Sequence, residues 1–148
     1  MKRCFIILVA IFILGISVIS CSDKNEGLSE RDDIDIDFAL LSATIREAEY
    51  YKIMEDADTY IGSLIRAVGT YFPLYFSQNG KTYHYVIIVP GDDCCQIGFE
   101  FKLPGDNINP DDYPAARTKI EVIGTLSRYD ERGTSYIYIA AEEVNILN

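Results

Sequence analysis

The stretch of sequence that decides the fold runs from residue 82 to residue 103 and reads TYHYVIIVPGDDCCQIGFEFKL. In its last eight residues, every second side chain is apolar: Ile97, Phe99, Phe101 and Leu103. A period of two is typical of a β-strand with one buried face, so these four side chains are predicted to point into a core. The first eight residues are rich in aromatic and β-branched side chains and predict a second strand.

Turn-forming residues divide the rest of the C-terminal part into further strands. Asn79-Gly80 predicts a hairpin turn, and Gly69 predicts a bulge or a sharp bend within a long strand. A segment rich in Pro, Gly, Asp and Asn follows Leu103 and is predicted to be a long connection. The predicted strands cover residues 63–76, 82–89, 96–103, 118–128 and 134–139.

Three strands in a meander, a long connection and a final hairpin are typical of the small Greek-key barrel called the OB-fold. The chain is therefore predicted to be mainly β, with a five-stranded OB-fold-like barrel preceded by one N-terminal helix in a domain over residues 38–148. A small β-sandwich and an SH3-like barrel would give a similar string of strands, so both remain alternatives.

The N-terminal helix is predicted from residue 44 to residue 56. Thr44 and Glu47 have the spacing of a capping box, in which each side chain bonds the backbone amide of the other residue. The apolar side chains predicted to share one helix face are Ile45, Ala48, Tyr51 and Met54, broadened by Tyr50 and Ile53.

The first residues are typical of a targeting signal. Lys2 and Arg3 precede an apolar run over residues 5–19, which is short for a bilayer span. The run ends in Val18-Ile19-Ser20-Cys21, which looks like a bacterial lipobox. We predict a lipoprotein signal peptide at residues 1–20, followed at 21–37 by an acylated Cys21 and a flexible tether. A plain signal peptide or a short anchor helix is the alternative.

This N-terminus predicts that the protein is anchored by lipid to the cell membrane and faces the outside of the cytoplasm. The lipid bilayer is therefore a predicted partner. The chain of 148 residues carries a formal charge of −10. Loss of residues 1–20 removes two basic and no acidic residues, which takes the charge to −12. A charge of this sign repels phosphate, so no nucleic-acid partner is expected.

Two adjacent cysteines, Cys94 and Cys95, are the only thiols left in the predicted mature domain besides Cys21. Thiolates are zinc ligands, and a zinc site would take its further ligands from nearby residues. Three alternatives stay open: buried free thiols, a vicinal disulfide, or pairing with another chain. The candidate further ligands are Glu100, then Asp92, Asp93 and His84.

Most of residues 38–147 resembles a bacterial family of uncharacterised OB-fold proteins. The family includes small lipoproteins and the exported soluble domain of a membrane protein encoded beside a predicted permease. The resemblance implies a fold and an exported location, and it implies no activity. It rests on the following strings: Leu41-Ser42-Ala43-Thr44, Tyr60-Ile61-Gly62, Ile65-Arg66-Ala67-Val68-Gly69, Asp92-Asp93-Cys94-Cys95-Gln96-Ile97-Gly98-Phe99-Glu100-Phe101 and Asp112-Tyr113-Pro114.

The sequence contains no recognisable catalytic triad, nucleophile elbow or phosphate-binding loop, so no enzyme activity is predicted. The candidate ligand surface is aromatic: Tyr83 and Tyr85, with Tyr136 and Tyr138, alternate along strands and would stack on a sugar or peptide unless they are core residues. We therefore predict a membrane-anchored extracytoplasmic binding module. The alternatives are an accessory zinc-binding protein serving a membrane transporter, and a thiol redox protein using the two cysteines.

Overall fold

A closed β-barrel makes up most of the computed structural model, which describes residues 27–89, 96–105 and 108–147. Within this described part, two short helices and a single 3-10 turn accompany the strands. The helices are α1 (Ala43–Glu55) and α2 (Ala57–Tyr60), and the 3-10 turn is Pro110–Asp112. The strands are β1 (Ile36–Asp37), β2 (Leu64–Phe76), β3 (Lys81–Val89), β4 (Ile97–Lys102), β5 (Lys119–Glu131) and β6 (Thr134–Ile146).

The barrel strands follow the order β2-β3-β4-β6-β5, and β5 pairs back with β2 to close the sheet. β4 and β6 are parallel, whereas the other neighbouring barrel strands are antiparallel. A meander of three strands followed by a hairpin that inserts its second strand beside β4 is the OB-fold arrangement. The predicted OB-fold-like barrel with an N-terminal helix is confirmed.

Strand β2 closes the barrel because it pairs with two strands, one after the other along its length. Residues 64–70 pair with β5, and residues 70–76 pair with β3. Gly69 lies at this change of partner, where a Cβ atom would stand 2.0 Å from the carbonyl oxygen of Ile87. Glycine is required there by the close approach of two backbones, and β2 continues through the position as one strand.

The core contains the predicted apolar face of β4, since Ile97, Phe99 and Phe101 are buried. Glu100 lies on the opposite face of the same strand, as expected, yet it is only 6% exposed. The hydroxyl of Tyr129, on β5, donates to its carboxylate at 2.7 Å. The non-core face of β4 is therefore buried at Glu100, because side chains of the β5–β6 hairpin cover it.

Residues 29–37 pack on the barrel, although the sequence predicts a flexible tether through residue 37. The backbone amide of Ser29 donates to both carboxylate oxygens of Glu121, at 3.2 and 3.0 Å. The carboxylate of Asp35 accepts from the amide of Leu64 at 2.8 Å, and β1 pairs in parallel with β2. The aspartates of this segment hold it in place through these bonds rather than keeping it solvated.

Helix α1 covers one end of the barrel with a different face from the predicted one. Ile53 is fully buried and the ring of Tyr50 packs edge-on against Phe99 at 5.1 Å, whereas Ile45 and Tyr51 are exposed. The predicted capping box is absent, because the helix begins at Ala43 after Ser42 without a side-chain cap bond. Within the described residues, no helix is long and apolar enough to cross a membrane.

Candidate functional site

A groove lined by tyrosine rings opens on the outer face of the barrel, between the β2–β3 hairpin and the β5–β6 hairpin. We call it the tyrosine groove and define it by the rings of Tyr83, Tyr85, Tyr129 and Tyr136. Its volume is about 290 Å³. Tyr83 and Tyr129 also line an adjoining cavity of about 1240 Å³, so the two spaces meet at these rings.

The alternation of β3 places two of these rings. Val86 and Ile88 point into the core, and their neighbours Tyr83 and Tyr85 point outward by the period of two. The turn before β3 has four residues, 77–80, and of these only Gly80 has a positive φ, of 69°. The hairpin turn predicted at Asn79-Gly80 is therefore present, although Asn79 does not adopt a positive φ.

The β5–β6 hairpin contributes the other two rings. Its two-residue turn has positive φ at both Arg132 and Gly133, 52° and 81°, which matches the twist of the flanking strands. This register sets Tyr129 directly opposite Tyr136, and their rings stack with centroids 5.4 Å apart. The stacked pair makes one wall of the tyrosine groove.

A polar network joins the two hairpins across one end of the groove. The carboxylate of Glu131 accepts from Lys81 Nζ at 2.6 Å and from the hydroxyl of Tyr83 at 2.5 Å. The same hydroxyl accepts from the side-chain amide of Asn79 at 2.7 Å. The bond from Lys81 lowers the pKa of Glu131, which keeps this carboxylate charged and fixes the width of the groove.

Glu100 lies beneath the groove as a buried carboxylate. Besides the bond from Tyr129, its nearest cation is Lys102 Nζ, 3.6 Å from Oε1. Burial raises the pKa of Glu100 above its ordinary 4.5, and the Tyr129 bond and the Lys102 charge oppose that rise only in part. The charged form is therefore less favourable in the folded protein than in the unfolded chain.

Glu100→Gln is expected to gain stability relative to the native protein as pH rises. Burial raises the pKa of Glu100 in the folded protein. The contribution of Glu100 to stability is therefore largest below its pKa in the unfolded chain, and it is lost as pH rises through its pKa in the folded protein. Glutamine can still accept from Tyr129 without carrying a charge. Thermal unfolding at several values between about pH 4 and pH 7 measures the difference.

The exposed Glu142→Gln is the matched control for this substitution, since it removes the same charge at the surface. A difference between Glu100→Gln and the native protein that stays constant over this pH range would contradict the burial of a charged Glu100.

His84, a predicted zinc ligand, points to the inside of the barrel. Its Nδ1 lies 2.8 Å from the hydroxyl of Tyr71, and its ring stacks on that of Tyr113 with centroids 3.4 Å apart. Burial lowers the pKa of His84, so the neutral ring is favoured. Tyr85 pairs with Glu100 across the two strands, so His84 and Glu100 face opposite sides of the barrel wall and do not converge on one metal.

The other residues predicted for the zinc site lie outside the described residues: Cys94, Cys95, Asp92 and Asp93. The predicted lipidation site, Cys21, lies outside them as well. In the part of the chain that the structure describes, no three His, Cys, Asp or Glu side chains gather as metal ligands. Zinc binding by the two cysteines stays a prediction from the sequence.

The aromatic surface predicted from the sequence contains Tyr83 and Tyr85, with Tyr136 and Tyr138. Tyr129 and Glu131 are absent from that prediction. The available signal was the turn at Arg132-Gly133, because a two-residue turn places residues 129 and 136 opposite each other. The curvature that brings this hairpin over β3 and β4 depends on closure of the barrel, which no local pattern shows.

Comparison of the chain with known protein families, with curated proteins and with solved structures finds no match. The candidate site is therefore argued from its geometry alone.

Proposed function

We propose that this protein is a membrane-anchored, extracytoplasmic binding module that holds a saccharide without anionic groups in the tyrosine groove. The observation that carries the proposal is the groove itself: four tyrosine rings on the outer face of a closed barrel, between two hairpins that a polar network fixes in place. On an OB-fold barrel, this face and its flanking turns are the usual position of a ligand.

The chemistry of the lining favours a saccharide. Aromatic rings offer flat apolar surfaces against which the C–H faces of a sugar ring can pack, and tyrosine hydroxyls and amides hydrogen-bond sugar hydroxyls. Gln78, Asn79 and Thr134 supply such polar groups beside the rings. Acidic residues outnumber basic ones, so a saccharide without anionic groups is favoured over a phosphorylated or otherwise anionic one.

The carboxylate of the groove supports binding rather than catalysis. Both oxygens of Glu131 already accept bonds from Lys81 and Tyr83, which ties the carboxylate to the scaffold. Hydrolysis of a glycosidic bond needs a second carboxyl group facing the first across the substrate. At the floor of the site, the carboxylate of Glu100 already accepts a hydrogen bond from Tyr129 and forms an ion pair with Lys102.

The proposed anchor would hold the barrel close to the bilayer. Ser29 is bonded to Glu121, so only residues 22–28 would separate the barrel from a lipidated Cys21. At roughly 3.5 Å per residue, the link spans at most about 28 Å when fully extended. A ligand carried by, or close to, the cell envelope fits this placement.

Cys21→Ser is expected to abolish incorporation of labelled fatty acid into the protein, since the proposed acylation requires that thiol. Metabolic labelling followed by gel analysis in the expressing cells measures the effect. Cys4→Ser is the matched control and should retain the label, because Cys4 lies within the predicted signal peptide. Label that persists in Cys21→Ser would refute the anchor.

Tyr136→Ala is expected to weaken saccharide binding about fivefold, because loss of one stacking ring removes on the order of 1 kcal/mol. Tyr136 is 43% exposed, so the substitution should leave the fold intact. Saturation-transfer NMR of the full chain in detergent, with maltotriose, cellotriose and chitotriose as probes, measures binding.

Tyr51→Ala is the matched control, since Tyr51 is 56% exposed on α1, outside the groove. We expect at least one of the three oligosaccharides to bind, with Tyr51→Ala unchanged. Absence of binding by all three, or binding that survives in Tyr136→Ala, would refute the saccharide proposal.

A further inference from the structure

The ammonium group of Lys102 occupies a cage beside the tyrosine groove. Its Nζ lies 3.3 Å from the ring centroid of Tyr129, 4.4 Å from that of Tyr138 and 3.6 Å from Oε1 of Glu100. We define the ammonium cage as these three residues: Tyr129, Tyr138 and Glu100. Two ring faces and a carboxylate are the groups that stabilise an organic cation.

The members of the cage are fixed without any help from Lys102. Glu100 and Tyr138 are register partners on the parallel strands β4 and β6. The Tyr129 hydroxyl donates to Oε2 of Glu100, while the Tyr129 ring stacks on Tyr136. The cage would therefore keep its shape if the lysine side chain moved away.

Lys102 is the solvent-exposed member of this arrangement. Its side chain is 39% exposed and ends on a flexible four-carbon stem, so its ammonium group can move into water. Lys52 offers a contrast, since its ammonium faces the single ring of Tyr60 at 5.5 Å and an exposed region of α1. Among the lysines that the structure describes, only Lys102 has two rings and a buried carboxylate around its ammonium group.

The cage also opens to ligand-sized space. Glu100, Tyr129 and Tyr138 all line the cavity of about 1240 Å³ that adjoins the tyrosine groove. An approaching cation would be drawn in by the acidic protein as a whole, whose charge is −10 over the full chain. An anionic group would meet both this charge and the carboxylate of Glu100.

We propose that the ammonium cage binds an alkylammonium group of the ligand, and that Lys102 is a built-in occupant which this group displaces. The inference deepens the proposed function and rests on it, since it adds a positively charged substituent to the ligand of the adjoining groove. The apparent affinity for this group is proportional to the fraction of time that the cage is free of Lys102. Occupancy for about nine-tenths of the time would weaken binding about tenfold.

Choline is the probe for this site, because it carries a compact quaternary ammonium group. Its neutral counterpart, 3,3-dimethylbutan-1-ol, has the same shape without the charge. The chain contains 11 tyrosines and no tryptophan, so tyrosine fluorescence of the full chain in detergent reports on the cage directly. Because burial raises the pKa of Glu100, titrations at about pH 8, well above the ordinary pKa of a carboxyl group, favour its ionised form.

We expect Lys102→Ala and Lys102→Gln to bind choline about tenfold more tightly than the native protein. Lys119→Ala is the matched control, since it removes the same charge from an exposed position at the start of β5, and should not change the affinity. Adding Glu100→Gln to Lys102→Ala should reverse the gain. The neutral alcohol should bind none of these proteins comparably.

Choline affinity that is the same in the native protein and in both Lys102 variants would overturn the inference, as would equal binding of choline and the neutral alcohol. The outcome is separable from that of the saccharide experiment. Tighter choline binding without oligosaccharide binding supports the cage and refutes the saccharide proposal. Oligosaccharide binding with no effect of Lys102 refutes the cage alone.

Discussion

Arg66→Met is expected to lower the free energy of unfolding by about 3–5 kcal/mol, because it leaves buried carboxylates without their cation. Arg66 is buried on β2, with Nη1 2.7 Å from the carboxylate of Asp37 and Nε 3.2 Å from that of Glu121. Its Nη2 donates to the carbonyl oxygen of Ser29 at 2.6 Å. One guanidinium therefore holds the segment before α1 against the barrel.

Urea unfolding followed by far-UV circular dichroism measures this loss. Arg128→Met is the matched control, because Arg128 pairs with Asp58 at the surface, where an ion pair contributes about 1 kcal/mol or less. The Arg66 variant should also be cut more readily by protease between residues 27 and 38. Equal, small losses in the two arginine variants would contradict the buried network.

Phe101→Ala should cost about 3–5 kcal/mol, since it removes a fully buried ring from the centre of the barrel. The ring lies edge-on to Tyr71 at 6.0 Å and is tilted against Tyr113 at 5.8 Å. The vacated space would leave the layer that includes His84 without its main apolar neighbour.

The same unfolding experiment on Phe72→Ala supplies the control. Phe72 lies on β2 and is exposed, so its removal should cost roughly 1 kcal/mol or less. If the two phenylalanine variants lose similar stability, the assignment of Phe101 to the core is wrong.

The barrel was predictable because its strands carry local signals. Ile97, Phe99 and Phe101 alternate in the sequence with residues of the other face, and in the structure all three side chains are buried on one face of β4. The order of strands follows from three short connections and one long one, which leave few topologies open. Even so, β6 extends to Ile146, well beyond the predicted end at residue 139.

The N-terminal segment was not predictable, because its polar character has a long-range cause. Asp35 and Asp37 look like tether residues in isolation, and only β2 supplies the amide of Leu64 and the guanidinium of Arg66 that bind them. The buried face of helix α1 was not predictable for a similar reason. In this helix Ile45, Tyr51 and Met54 are exposed and Ile53 is buried, so the spacing of the apolar residues alone does not show which face meets the barrel.

The candidate site was predictable only where it depends on strand alternation. Tyr83 and Tyr85 follow from the period of β3, and the structure places both on the groove. Tyr129 and Glu100 come together across β4 and β5, which are not neighbours in the sheet. Such a contact depends on the curl of the β5–β6 hairpin, which a single sequence does not encode in any local motif.

Fluorine NMR tests most directly whether the ligand binds in the tyrosine groove. The full chain is labelled with 3-fluorotyrosine and titrated with the three oligosaccharides. We expect the signals of Tyr83, Tyr85, Tyr129 and Tyr136 to shift in proportion to bound saccharide. Those of Tyr51 and Tyr75, exposed away from the groove lining, should stay in place. Shifts confined to Tyr51 or Tyr75, or no shifts at all, would contradict a ligand site in the groove.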